Sequence, residues 1–141
     1  MDITTEVFTI KTRGKTDIID ITKKIEKAIV QTGLQQGTAA IFAIGSTAGI
    51  TTIEYEPGLV KTDIPKLFDM LAPYGRHYAH HNTWGDDNGA AHVRASLLGC
   101  SMIVPFVDAK MLLGTWQQII YIDFDTRPRS RKIAVQITGK K

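Results

Sequence analysis

Three strand-like segments follow one another between Ser101 and Thr138 with only short connections between them, and this constrains the fold more than any other feature of the chain. Ser101–Val107, Leu112–Asp125 and Arg131–Thr138 are rich in β-branched and aromatic residues. Asp108 supplies a turn between the first two, and Arg127-Pro128 breaks the chain between the last two. Connections this short leave no room for a helical crossover, so this half of the molecule reads as antiparallel sheet.

The upstream half mixes periods. Ile3–Lys11 alternates as a strand, and Gly14 marks a turn. Ile21, Ile25, Ala28 and Ile29 recur at helical spacing, with Asp20 or Thr22 as cap and Gly33 as the stop. Thr38–Ile44 reads as a buried strand, Gly45–Gly49 as an interruption, and Thr51–Tyr55 as a further strand before the Pro57-Gly58 turn. Ile64, Leu67, Phe68 and Leu71 predict a second helix ending before Pro73. The resulting order, β-α-β-β-α-loop-β-β-β, is that of an α+β domain with two main helices, and 141 residues make one domain, 1–141.

A chain of this length buries enough surface to fold without disulfides or a structural metal. Its single cysteine, Cys100, excludes an intrachain disulfide and every CxxC motif, and fits a reducing, cytoplasmic setting. Following Gly99 beside an apolar strand, Cys100 reads as a small buried hydrophobe rather than a nucleophile. The N-terminus lacks a signal-peptide pattern, and no apolar run is long enough to span a bilayer, so no membrane partner is expected. The net charge of +3 is concentrated near the end, in Arg127, Arg129, Arg131, Lys132, Lys140 and Lys141. Those residues suit an anionic partner; they are the sole argument for nucleic acid, which is therefore not the expected partner.

Chemistry concentrates in Tyr74–Arg94. Tyr74–Ala91 shows no periodicity and reads as a long loop, and such loops in compact domains are often functional. All four histidines, His77, His80, His81 and His92, fall there, with Asp86, Asp87, Asn82, Asn88 and Trp84. Imidazole titrates near neutral pH and ligates metals, and carboxylates add hard oxygen donors. His80 or His81, one of Asp86 and Asp87, and His92 are accordingly the candidate set for a divalent ion such as Mg²⁺ or Zn²⁺ in an open site, with His80, Asp86 and His92 the leading choice. Arg94 reads equally as a phosphate clamp or as an ion pair to a nearby aspartate. Ser46 and Thr47, in the glycine-bracketed Gly45–Gly49 segment, are candidates for lining a site. The spacing matches no HExxH, Walker or GxSxG motif.

These segments together resemble the YjbQ family of secondary thiamine-phosphate synthases. The resemblance is carried by Asp20-Ile21-Thr22, by Thr47 with Thr52-Ile53, by Asp86-Asp87-Asn88 followed by His92-Val93-Arg94-Ala95-Ser96-Leu97-Leu98-Gly99, by Leu113-Gly114-Thr115-Trp116-Gln117-Gln118, and by Asp123-Phe124-Asp125 with Arg127-Pro128-Arg129. It implies a compact α+β domain with a largely antiparallel β-sandwich core, assembly as a homotrimer, and a polar site near the subunit interface. It also implies joining of a pyrimidine pyrophosphate to a thiazole phosphate, a transferase reaction with a phosphorylated small-molecule ligand. In that reading His80, His92 and Arg94 are catalytic; Ser46, Thr47, Asn88, Arg127 and Arg129 contact the ligand; His80, Asp86 and His92, or Asp86 with Asp87, hold the metal; and Tyr78 or Trp84 stacks on a ring. Two departures from the family pattern, Ser46 and Ala90 where many or some members carry histidine, leave a second class open: a non-catalytic homotrimer that holds a metal or phosphate ligand.

Overall fold

The computed structural model describes all of residues 1–141 as two antiparallel sheets and four helices. The strands are β1 (Asp2–Thr12), β2 (Asp17–Asp20), β3 (Gln36–Ile44), β4 (Ala48–Ile53), β5 (Ser101–Val107), β6 (Lys110–Met111), β7 (Gln118–Asp123) and β8 (Arg129–Lys140). The helices are α1 (Thr22–Thr32), α2 (Ile64–Leu71), α3 (Ala79–Trp84) and α4 (Gly89–Leu98); a π-helical turn, Leu59–Asp63, leads into α2. The larger sheet has the order β1-β8-β3-β5-β6 and the smaller one β2-β7-β4.

The antiparallel α+β architecture is as the sequence implies. The β5–β6 turn forms at Asp108 and Ala109, both at positive φ (53° and 57°), the left-handed geometry that a tight hairpin demands. Helix α1 starts where Asp20 accepts hydrogen bonds from the Thr22 amide (2.9 Å) and hydroxyl (2.6 Å), and it ends on Gly33 at φ 72°.

The core lies between the sheets and on both sides of β7. Ile119 and Tyr121 join α1 (Ile25, Ala28, Ile29) and the inner face of the large sheet (Ile10, Ala39, Ile41, Val104, Phe106, Ile133, Val135, Ile137). Ile120, Ile122 and Phe124 point the other way, onto Phe68 of α2 and Ala91 and Ala95 of α4. A strand buried on both faces loses the alternating pattern. This is why Leu112–Asp125 looks like one long strand in sequence, although only Gln118–Asp123 pairs. The preceding Gly114-Thr115-Trp116-Gln117 is a turn, closed by the Gln117 amide on the Gly114 carbonyl (3.0 Å).

The stretch read as a structureless loop instead contains α3 and the start of α4. Helix α4 buries Gly89, Ala90, Ala91, Arg94 and Ala95. A buried face made of small residues and one arginine carries no hydrophobic periodicity, so the usual signal of a helix is missing. Cys100 also departs from expectation: it is exposed, at the mouth of β5, where the turn at Gly99 (φ 92°) carries it out of the core. The outer face of the large sheet has no helix over it and exposes Ile3, Val7, Phe42, Ile44, Ile103 and Val107. No helix is long and apolar enough to cross a membrane.

Candidate functional site

The end of β7, the bend after it and the start of β8 place Asp123 and Asp125, and Arg129 and Arg131, at alternate positions, and the four close an ionic network with buried carboxylates and an exposed Arg129. Asp123, fully buried, receives the Arg131 guanidinium through Nε and Nη2, both at 2.7 Å, and the Thr12 hydroxyl. This fork-to-fork pairing, with Thr12 and the Asp125 amide (2.9 Å) meeting further lone pairs, is what a buried carboxylate requires. Asp125 receives Arg129 Nε (2.9 Å), the Thr126 amide (2.8 Å) and the Thr47 hydroxyl (3.3 Å), with the Asn88 amide at 3.5 Å. Burial pushes the Asp125 carboxyl up, but the Thr126 amide and Arg129 outweigh it and hold the group below the ordinary carboxylate range. Arg131 also reaches the Thr47 hydroxyl (2.6 Å), which ties the β3–β4 connection to β8.

The histidines stand against this network on α3 and α4. His80 Nδ1 lies 2.9 Å from Asp86 Oδ1, and the His80 ring stacks on His92 at 4.4 Å between centroids with 34° between planes. His92 is one turn into α4, beside the Ser46 carbonyl. Burial, then the neighbouring His80, lowers its affinity for a proton, against the opposing pull of Asp125 and Asp86. His92 is therefore a neutral imidazole at neutral pH. His81 Nε2 accepts the Gly89 amide (3.1 Å), and this bond docks α3 on the first residue of α4. Gly89 is required there: a Cβ would lie 2.5 Å from Tyr78 Cβ and 3.0 Å from His81 Nε2.

His80, Asp86 and His92 are thus brought together, and Ser46, Thr47, Asn88 and Arg129 lie beside them. Arg94 does not join them. It is fully buried, donating to the Ala72 carbonyl, the Thr16 hydroxyl and Asp69 Oδ1, each at 2.8 Å, with its guanidinium carbon 3.9 Å from the Tyr74 ring centre. All its faces are spent, so it is a structural strut and not a phosphate clamp, and its aspartate is neither Asp86 nor Asp87. Asp87 accepts the Thr126 hydroxyl (3.0 Å), Arg127 is exposed on the turn before β8, and Trp84 is exposed. Tyr78 is buried and donates to the Pro73 carbonyl (2.8 Å), which removes it as a stacking platform.

The sequence reading missed Asp123, Asp125 and Arg131 as site-forming groups. The signal was the i, i+2 spacing of Asp123/Asp125 and of Arg129/Arg131, which puts the arginines on one face of β8 and carries the aspartates to the same side as the chain leaves β7.

Two hollows border the histidines. One, of about 500 Å³, is lined by Lys15, Tyr74, Gly75, Arg76, His77, His81, Asp87 and Thr126. The other, of about 460 Å³, is lined by Gly45, Ser46, Ala48, His92, Ala95, Ser96, Gly99 and Cys100. Both volumes suit small molecules.

The donors do not fit a metal ion. No three His, Cys, Asp or Glu side chains converge to hold one. His80 and His92 face each other ring to ring, and Asp86 is turned to His80 Nδ1.

The chain matches known proteins over nearly its whole length. The sequence profile of the family described as "UPF0047 protein YjbQ-like" covers residues 6–140. A UPF0047 protein of Archaeoglobus fulgidus is 37% identical over 92% of this chain and 97% of its own length, and YugU, a UPF0047 protein of Bacillus subtilis, is 35% identical over 92% and 96%. Among solved structures, a hypothetical protein of Aeropyrum pernix superposes with a TM-score of 0.89 at 30% identity, over 97% of this chain and 99% of the other. A YbjQ-like protein of unknown function from Sulfolobus solfataricus does so with a TM-score of 0.86 at 30% identity, over 99% and 100%.

Proposed function

The chain belongs to the UPF0047 YjbQ-like family, and from that premise we propose that it binds phosphorylated small molecules around His92 and joins two of them as a thiamine-phosphate synthase. The observation that carries this reading is the pair of hollows of about 500 and 460 Å³ bordered by one pair of histidine-bearing helices. A transfer between two substrates needs two adjoining places. In this reaction the thiazole nitrogen lone pair forms a C–N bond to the pyrimidine methylene, the C–O bond to pyrophosphate breaks, and the electron pair leaves with the pyrophosphate.

The chain's own groups fit that charge flow. Positive charge develops on the thiazole nitrogen, and it does so beside a neutral His92 that adds no repulsion and within the field of Asp86 and Asp125. The nucleophile is an aromatic nitrogen and needs no strong base. The Thr47–Asp125–Arg129 contacts position the wall, and the Asp86–His80 pair fixes the ring that stacks on His92. No step is assigned to a metal ion, because no three candidate ligands converge to hold one.

The test is product formation from the pyrimidine pyrophosphate and thiazole phosphate by purified protein. Thiamine phosphate above the uncatalysed background, reduced at least tenfold in His92→Ala and Asp125→Asn, is the expected result. Absence of product, or variants as active as the parent, overturns the synthase reading. A non-catalytic homotrimeric ligand carrier is the second reading; the mutual satisfaction of His80 and Asp86 favours it, since neither is left free for chemistry. The homotrimer is part of both readings and is supported by the open apolar face of the large sheet.

A further inference from the structure

The 500 Å³ hollow gathers two cations, Lys15 and Arg76, that are not tied to a carboxylate. Arg13, Arg94, Arg129 and Arg131 each hold a carboxylate. Lys15 and Arg76, which line this hollow, are exposed and hold none, and His77 and, from α3, His81 complete the lining beside them. The one carboxylate in the lining, Asp87, is engaged by the Thr126 hydroxyl. Two cations against one carboxylate leave the lining with a net positive charge, which favours an anion.

Its geometry is also prepared in advance. Arg76 rests its guanidinium carbon 4.6 Å from the Tyr78 ring centre, so the side chain is oriented before any ligand arrives. Lys15 sits in a backbone turn that L-residues avoid: Gly14, Lys15 and Thr16 have φ of 80°, 54° and 65° in succession. Each left-handed non-glycine residue costs about 1–2 kcal/mol, and such strain persists where surrounding bonds enforce it. Here the Lys15 amide donates to the Asp125 carbonyl (2.7 Å), and the Thr16 hydroxyl is held by Arg94 (2.8 Å). The buried Arg94 strut thus serves the site indirectly: it fixes the turn that presents Lys15.

We propose that this hollow, with Lys15 and Arg76 as its principal cations and His77 at its edge, binds the pyrophosphate of a pyrophosphate-bearing small molecule. The assignment rests on the reading of the site as one for phosphorylated ligands, but it replaces Arg94, Arg127 and Arg129 as the anion contacts. Pyrophosphate alone fills a fraction of about 500 Å³, which leaves room for the organic group that carries it. Lys15 and Arg76 neutralise the charge, while the Arg76 fork offers two parallel donors to phosphoryl oxygens.

The test is calorimetric titration of the full chain with inorganic pyrophosphate, with and without Mg²⁺, and separately with a short single-stranded RNA. The comparison variants are Lys15→Met/Arg76→Met and, as a control with the same loss of charge, Lys61→Met/Lys66→Met. All four positions are surface residues, and unchanged melting temperatures confirm that the variants fold. The expected result is saturable pyrophosphate binding, weakened at least tenfold in the first pair and within twofold of the parent in the second. No binding to the parent, equal loss in both pairs, or binding of RNA but not pyrophosphate overturns the assignment. Pyrophosphate binding that depends on Lys15 and Arg76, in a protein that forms no thiamine phosphate, leaves the assignment standing while removing the synthase.

Discussion

At the scale of single residues, His92 and Arg94 show how similar positions on one helix acquire opposite uses. Burial, and then the His80 ring, discourage the His92 proton more than the Asp125 and Asp86 carboxylates invite it, and the balance keeps it neutral. A lowered folded-state value has a defined sign. Between that value and the unfolded value near 6.5, the unfolded chain binds more protons, so stability is complete above about 6.5 and is lost as pH falls through the lowered value. Asp125, held below its ordinary 3.8, adds a second loss of the same sense at more acid pH. Denaturant midpoints measured from pH 7.5 to 4 should fall first in the histidine range, and His92→Gln should flatten that first fall. Parallel curves for parent and variant would show that His92 is not the group responsible. For Arg94, substitution by Met leaves the Ala72 carbonyl and Thr16 hydroxyl without their partner, and it should destabilise the chain by about 2–4 kcal/mol by chemical denaturation. Lysine should not rescue it, since a single ammonium cannot reach three partners arranged around a planar fork. The sequence placed both residues near the chemistry but not their separation. Helical spacing brings residue 92 to one side and residue 94 to another, and that difference exists only once Gly89–Leu98 is a helix.

At the scale of elements, legibility followed hydrophobic contrast. Helix α1 was readable because three large or medium apolar residues face the core at helical spacing and both ends carry capping signals. Strand β8 was readable for the same reason at period two, with Ile133, Val135 and Ile137 inward. Helices α3 and α4 were not, because their contacts are an imidazole accepting an amide, a glycine under a tyrosine, and alanines. Close backbone approach replaces bulk there, and small residues carry no periodic signature. The same feature makes the pair sensitive. Gly89→Ala places a methyl group against Tyr78 and His81, so it should cost about 1–3 kcal/mol as overpacking and perturb the titration of His80 and His92 in NMR spectra. Gly33→Ala meets nothing within 4 Å and should show only the left-handed backbone cost, about 1–2 kcal/mol, with the imidazole titrations unchanged. A Gly89→Ala protein whose histidines titrate as in the parent would disconnect the α3–α4 junction from the site.

At the scale of the molecule, the two faces of the large sheet separate what the chain's own residues fill from what they leave open. The inner face is filled by α1 and the small sheet. The outer face repeats the same alternation in Ile3, Val7, Phe42, Ile44 and Ile103, yet no part of the chain covers it. Exposed contiguous apolar surface on a sheet is normally an interface. If the proposed trimer forms through this face, Val7→Lys and Phe42→Glu shift the mass measured by light scattering from trimer to monomer and leave the circular dichroism of the fold intact. A parent that is already monomeric at micromolar concentration would remove the trimer from both functional readings.

The pairing of β8 has a further consequence, for the order in which the molecule is made. This strand is last in the chain, yet it lies between β1 and β3 and bonds to both along most of their length. As the polypeptide leaves the ribosome, β1 and β3 emerge early and have no sheet partner in common until some ninety residues after β3 have been synthesised. Long-range pairing of this kind is slow and leaves strand edges open to other chains in the meantime. Nascent chains of this protein should therefore depend on holding factors until β8 is released, and the large sheet should gain its amide-exchange protection in one late, cooperative step rather than strand by strand.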